Sequence, residues 1–166
     1  ESCITLGNSW SYVPGDQYKS SRKVIHMLTD IISKNGNLLL NVGPGPDGEW
    51  DSLAYNRLES IGKWMKINGE AVYDTEADPN LPRQGKWAFT RKGTNIYAIY
   101  QVADNEMVEN SLSVNLPAGV KVKGVSVIGG PQKVKFTQNG AQVVLFTTDK
   151  SIVKKTEALV FKLVTS

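Results

Sequence analysis

The sequence predicts an α/β segment followed by an all-β, antiparallel sandwich. Residues 1–78 carry two amphipathic helical patterns around one short apolar run, and residues 83–166 carry short alternating segments with turns between them. Between the two lies Asp78-Pro79-Asn80-Leu81-Pro82, where helical and βα patterning stop.

In the first segment, Ser20 or Ser21 can cap a helix running to about Lys34. Val24, Ile25, Leu28, Ile31 and Ile32 fall at helical spacing on one face, and Gly36 supplies the stop. Asn37–Val42 (NLLLNV) is apolar without alternation. Its length and flanking glycines predict a strand buried on both faces, as in a parallel sheet covered by helices. Gly43–Gly48 (GPGPDG) is a turn cluster. A second helix is expected over Ser52–Asn68, with Ala54, Leu58, Ile61 and Met65 inward and Gly69 at its end. Helix, strand, loop, helix is the order found in a βα-barrel or a doubly wound sheet.

Beyond the linker, strands are expected at Lys86–Thr90, Asn95–Val102, Ser111–Leu116, Val120–Ile128, Lys133–Thr137, Ala141–Thr147 and Ala158–Val164. Asn139-Gly140 is the strongest hairpin signal. The first segment needs partners, because one buried strand leaves its own edges unpaired. A βα-barrel takes about 250 residues, so its other strands are expected upstream of Glu1. Glu1 follows no Met and precedes no signal-like stretch, and the chain is expected to be cut from something longer.

Composition excludes several function classes. The 166 residues are 40% apolar and 21% charged, and no stretch approaches the roughly 18 apolar residues of a membrane span. The net charge of +3 is spread along the chain. Lys121, Lys123, Lys133 and Lys135 alternate with apolar residues as a solvated strand face, not as a nucleic-acid stripe. Cys3 is the lone cysteine, which excludes an internal disulfide and a cysteine metal cluster, and it reads as a small buried hydrophobe. His26, the lone histidine, lies away from the Val24/Leu28/Ile31 face and is expected to be solvated. No metal site and no cofactor are expected.

Asp47, Glu49 and Asp51 read as turn formers and helix N-terminal charges, since their spacing does not fit a calcium loop. Trp64 is expected to pack between the two segments, with Trp50 and Trp87 flanking the junction. Tyr97 and Tyr100 have opposite parity and form no aromatic platform.

Three motifs carry a resemblance to a known family. Glu1-Ser2-Cys3 with Asn8-Ser9-Trp10-Ser11-Tyr12 resembles the Trp-Glu-x-Cys…Ser-Trp-Gly-Tyr segment of family 29 α-L-fucosidases, Ser11 standing where the family usually has Gly. Ser33–Pro44, followed by Asp47-Gly48, is similar to that family's Ser-x-x-Gly-Asn-x-Leu-Leu-Asn-(Ile/Val)-Gly-Pro stretch and its Asp-Gly pair. Ile61-Gly62-x-Trp64 with Asn68–Tyr73 resembles its Ile-Gly-x-Trp…Asn-Gly-Glu-Ala-Ile-Tyr. The match is dense over residues 1–75 and extends to the sandwich only in type and position.

The resemblance implies that residues 1–78 are the C-terminal portion of a (β/α)8-like catalytic barrel and residues 83–166 a C-terminal β-sandwich. It implies an enzyme that removes terminal α-L-fucose from fucosylated glycans with retention. Such enzymes use two carboxyl groups roughly 5–5.5 Å apart. The family's nucleophilic Asp matches no residue here, so the chain alone is expected to be inactive and to need the remainder of the barrel as partner. The family's settings imply a secreted, periplasmic or lysosomal protein.

Glu1 matches the family glutamate that is a candidate acid/base, and a carboxyl at the C-terminal end of a barrel strand would point into the pocket. It could equally anchor a loop by hydrogen bonding. Trp10 and Tyr12, in a Gly/Ser/Pro-flanked loop, could stack on the C–H faces of a sugar or anchor their loop. Asn41 ends the apolar strand, where its amide could reach a ligand, a carboxylate or loop backbone. The alternative function is a non-catalytic carbohydrate-binding or structural sandwich, because that architecture serves many roles.

Overall fold

A computed structural model describes residues 1–149 and 156–166. The first segment is built on a parallel pair, β1 (Ser2–Thr5) and β2 (Leu38–Asn41), with Ser2 opposite Leu38 and Thr5 opposite Asn41. Ser-Cys-Ile-Thr is too short to announce itself by pattern. It becomes a strand because β2 pairs it, with Ser2 N–H donating to Asn37 O (2.7 Å) and Leu6 N–H to Asn41 O (2.8 Å).

Helix α1 (Ser21–Ile32) connects the two strands, and the Ser20 hydroxyl caps it by accepting from Lys23 N–H. Helix α2 (Ser52–Asn68) follows β2, capped by Asp51, whose carboxylate accepts from Ala54 N–H at 2.9 Å. Leu6, Val24 and Ala54 form the buried centre between sheet and helices, joined by Leu38, Leu40, Val42, Leu58 and Ile61.

The opposite face of the pair is bare. Leu39 is 45% exposed and Cys3 is exposed beside it. Both expectations of burial, for a two-faced strand and for Cys3, are corrected here. A parallel strand is buried on both faces only where something covers both, and α1 and α2 cover one.

Among the described residues the sandwich has seven strands: β3 (Trp87–Lys92), β4 (Asn95–Gln101), β5 (Ser111–Asn115), β6 (Val122–Val127), β7 (Phe136–Asn139), β8 (Gln142–Phe146) and β9 (Ala158–Thr165). One sheet has the order β3-β4-β9-β6 and the other β5-β8-β7, with every pairing antiparallel. The expected hairpin exists but is displaced by one residue. Asn139 is still paired, to Gln142, and the turn centres on Gly140-Ala141. Gly140 has φ +59 at the first central position, the place a type II′ turn gives to glycine.

Between the sheets lie Phe89, Leu112, Val114, Val143, Leu145, Phe161 and Leu163, all buried. Trp87 is part of this core, with its indole N–H on Ser113 O (2.9 Å), rather than at the junction. The opposite face of the four-stranded sheet is also covered. Ala88, Tyr97, Ile99, Ala158 and Val160 pack against Ile25 of α1 and Trp64 of α2. Trp64 therefore sits where expected, between the segments, donating to Ala158 O at 3.2 Å. β4 has helices on one face and a sheet on the other, so Ile96 through Tyr100 are all buried despite their alternation. At roughly 1.5–3 kcal/mol per fully buried large apolar side chain, β4 is a main source of cohesion.

A polar seam accompanies this junction. His26 is half-buried, with Nε2 2.8 Å from Glu157 O, and Gln101 Nε2 donates to His26 O and to Thr29 Oγ1, both at 2.9 Å. The solvated position expected for His26 is thus corrected: the sandwich covers it. Burial lowers its pKa from the usual value, and the nearby Arg22 and Arg83 lower it further, against the Glu157 carbonyl and Asp104.

Candidate functional site

Two loops leave the C-terminal ends of β1 and β2, the end at which parallel αβ structures assemble their sites. The first, residues 7–20, is tied down from several directions. The Asp16 carboxylate accepts from Asn8 N–H (2.9 Å), Ser9 N–H (3.4 Å) and Gln17 N–H (2.7 Å). A Cβ on Gly7 would lie 2.2 Å from that carboxylate, so the close approach needs glycine. Lys19 Nζ donates to Thr5 O (2.7 Å) and Gly7 O (2.9 Å), fastening the loop's exit to its entrance.

Asn41 fixes the middle of the loop. Its amide donates to Trp10 O at 2.8 Å, so the loop-backbone role among its alternatives is the one observed. Trp10 is 60% exposed. The loop after β2 backs onto Ser11 and Tyr12 so tightly that a Cβ on Gly43 would lie 2.5 Å from Tyr12 N. The result is a rim bearing Trp10 and Tyr12, held by polar contacts on its inner side.

The second loop adds residues that sequence reasoning left at the junction or did not single out. The Trp50 indole donates to Val42 O at 3.3 Å, and its ring lies 5.5 Å from Tyr55 at a tilt of 56°. Trp50 is thus a rim residue, not a junction residue. Tyr18 OH donates to Asp51 Oδ2 at 2.7 Å. That hydrogen bond, with burial and the carboxylate charge, pushes the Tyr18 pKa up to about 12. Asp51 is held below the usual carboxylate range by Ala54 N–H and Tyr18. The signal that could have found Trp50 and Tyr55 is their place on either side of the Asp51 cap, at the start of the helix that follows β2.

Trp10, Tyr12 and Asn41 are brought together. Glu1 is not with them. It precedes β1, and at about 3.3 Å per residue along a strand it lies roughly 13 Å from Thr5 and the Asn41 end. The expected position at a strand's C-terminal end is corrected: Glu1 stands at the N-terminal end of the pair and is exposed. Asp16 and Asp51 are committed to loop and helix-cap hydrogen bonds. Chemically, the rim can stack on the apolar face of a sugar and hydrogen-bond its hydroxyls.

The chain is similar to known α-L-fucosidases. The family model described as Alpha-L-fucosidase matches residues 1–70. The α-L-fucosidase of Branchiostoma floridae is 29% identical over 143 residues, covering 82% of this chain and 31% of that protein. The plasma α-L-fucosidase of Rattus norvegicus is 39% identical over 80 residues, covering 45% of this chain and 17% of that protein. Among solved structures, α-L-fucosidase isoenzyme 1 from Paenibacillus thiaminolyticus superposes with a TM-score of 0.85 at 26% identity, covering 99% of this chain and 39% of that one. The Thermotoga maritima α-fucosidase in complex with fucose gives a TM-score of 0.81 at 26% identity, covering 98% and 39%. The chain spans about a third of the length of the Branchiostoma relative and less than two-fifths of the solved chains.

Proposed function

We propose that this chain, whose residues 1–70 match the α-L-fucosidase family model and whose fold superposes on solved α-L-fucosidases, is the C-terminal part of a retaining exo-α-L-fucosidase acting on fucosylated glycans. Residues 1–78 serve as the last portion of its catalytic barrel and residues 83–166 as its sandwich. Trp10, Tyr12 and Asn41 then belong to the fucose-binding rim. The single observation that carries this reading is the exposed Trp10 held by Asn41 at the carboxyl ends of a parallel pair.

Retention needs a nucleophile and an acid/base a few ångströms apart. Under this proposal the nucleophile comes from outside this sequence. Assignment of the acid/base to Glu1 requires that carboxyl to reach the rim, and its place ahead of β1 favours a positioning role instead.

The test is a chimaera in which this sequence replaces the matching C-terminal part of the Thermotoga maritima enzyme. The expected result is hydrolysis of 4-nitrophenyl α-L-fucoside with retained anomeric configuration, read by proton NMR, and no turnover by the 166-residue chain alone. Turnover by the chain alone sinks the external nucleophile. A folded chimaera that binds fucose without hydrolysing fucosides favours the non-catalytic reading.

A further inference from the structure

Beside the start of α1, away from the parallel pair, an open cleft of about 600 Å3 separates that helix from the sandwich. Arg22 and Lys23 line it from α1, and Arg83 and Lys86 from the approach to β3, against the carboxylates of Asp30 and Asp104. Cations therefore outnumber carboxylates by two, with His26 in the same wall.

Two of the cations are fixed in place. Arg22 donates through Nη1 to Val102 O (2.6 Å) and Thr156 O (3.3 Å), and its Nε pairs with Asp104 at 2.8 Å. Arg83 is held by Gln101 Oε1 (2.7 Å), Gly85 O (3.1 Å) and Asp30 (2.6 Å). The carboxylates leave charge unmatched. Asp104 is 80% exposed, so its ion pair is well screened, and Asp30 is shared with Lys34 at 2.8 Å.

Three nitrogens of residues lining the cleft have no hydrogen-bond partner among the described residues: Lys23 Nζ and Arg22 Nη2, which donate, and His26 Nδ1, which donates only when the ring is protonated. Among the described residues Nδ1 has no hydrogen-bond partner, yet it is not sealed from solvent, because Arg57 Nε is the one buried side-chain nitrogen or oxygen there without a partner.

We propose that this cleft binds an oxyanion of the sulfate or carboxylate type, such as an acidic sugar carries, and that binding draws a proton onto His26. The neutral ring, bonded through Nε2–H to Glu157 O, presents Nδ1 as an acceptor and offers an anion nothing. The protonated ring presents a second N–H. Without an anion, burial and the charges of Arg22 and Arg83 oppose protonation. An anion between Lys23 and Arg22 reverses the local field, and the coupling is reciprocal, so affinity rises as pH falls through the histidine range. The other charged groups at this wall are spoken for: Lys86 pairs with Glu106 at 2.8 Å, and the Glu157 carboxylate accepts from Ser21 at 3.4 Å. The inference is independent of any role at the Trp10 rim.

The chain has a single histidine, so its ring-proton NMR signals belong to His26 without assignment work. The experiment titrates those signals across pH in sodium sulfate, sodium glucuronate and sodium chloride at matched ionic strength. The expected result is a saturable upward shift of the midpoint, by roughly one unit, in sulfate or glucuronate beyond that in chloride, with the responding anion naming the ligand group. Lys23→Gln, an exposed and unpaired position, is expected to abolish most of that shift, and Lys86→Gln to weaken it. Ring-shifted methyl signals from the Trp87 core report that each variant stays folded. Equal shifts in all three salts, or an unchanged oxyanion response in both variants, overturn the proposal.

Discussion

Cys3 and Leu39 stand opposite one another in the parallel pair β1–β2, and both side chains are exposed. One face of an apolar pair therefore contributes little to the cohesion of this chain, whereas Leu6, one residue past β1, is fully buried on the other.

Leu6→Ala is expected to lower stability by about 2–5 kcal/mol, as buried leucines lose transfer energy and leave a cavity. Leu39→Ala should change it by no more than about 0.5 kcal/mol. Urea unfolding of the two variants checks the contrast, and comparable losses would show that Leu39 is covered. Cys3 should react with a thiol reagent in native buffer as fast as it does in denaturant.

Gly43→Ala probes the rim without touching either core. The added methyl would meet Tyr12 N at 2.5 Å and Ser11 C at 2.7 Å, both backbone atoms that cannot swing aside. The expected outcome is faster amide exchange at Asn8, Ser9 and Tyr12 with unchanged exchange in β4 and β9. In the chimaera, the same substitution should raise KM for an aryl fucoside more than it lowers kcat. Uniform acceleration everywhere would mean that the rim and the fold are not separable.

Glu1→Gln tests the acid/base assignment in that chimaera. From its position ahead of β1, the expected losses on a natural glycan and on a substrate with an activated leaving group are equal. A far larger loss on the natural glycan would return Glu1 to the acid role, because only the poor leaving group needs a proton.

His26 sets a pH dependence of known sign. Its folded-state pKa is lowered, chiefly by burial, so as pH falls the unfolded chain takes up the proton first. The contribution to stability is full above the ordinary histidine value of about 6.5 and declines as pH drops through it, levelling below the folded pKa. Denaturation midpoints measured on both sides of that value should fall with acid in the native chain and stay nearly flat in His26→Gln. An unchanged slope in the variant would place the proton elsewhere.

The elements legible in the sequence are those whose cause is local. Ser20 and Asp51 cap their helices, Ala54, Leu58 and Ile61 face inward, and six of the expected sandwich strands lie close to where alternation puts them, while β7 (Phe136–Asn139) begins three residues later than the expected Lys133–Thr137. What was not legible depends on distant chain. Periodicity cannot say that Glu157 and Gln101 come to cover His26, or that nothing covers Leu39. Trp87 looked like a junction residue because it follows the linker, but β3 parity turns it between the sheets. At the rim, Asn41 and Trp10 could be singled out separately, whereas the hydrogen bond joining them depends on how loop 7–20 folds back.

The place of β9 has a consequence for the order of events during synthesis. Ala158–Thr165 lies between β4 and β6, both made earlier. Until those eight residues leave the ribosome, β4 and β6 present facing edges with no strand to join them, and Ile96, Ala98 and Val125 have no neighbour in Phe161 or Leu163. Unpaired apolar edges are where nascent chains associate wrongly. The interval between making β6 and making β9 is therefore the period in which this chain most needs a chaperone, and slower translation across residues 128–157 would lengthen it.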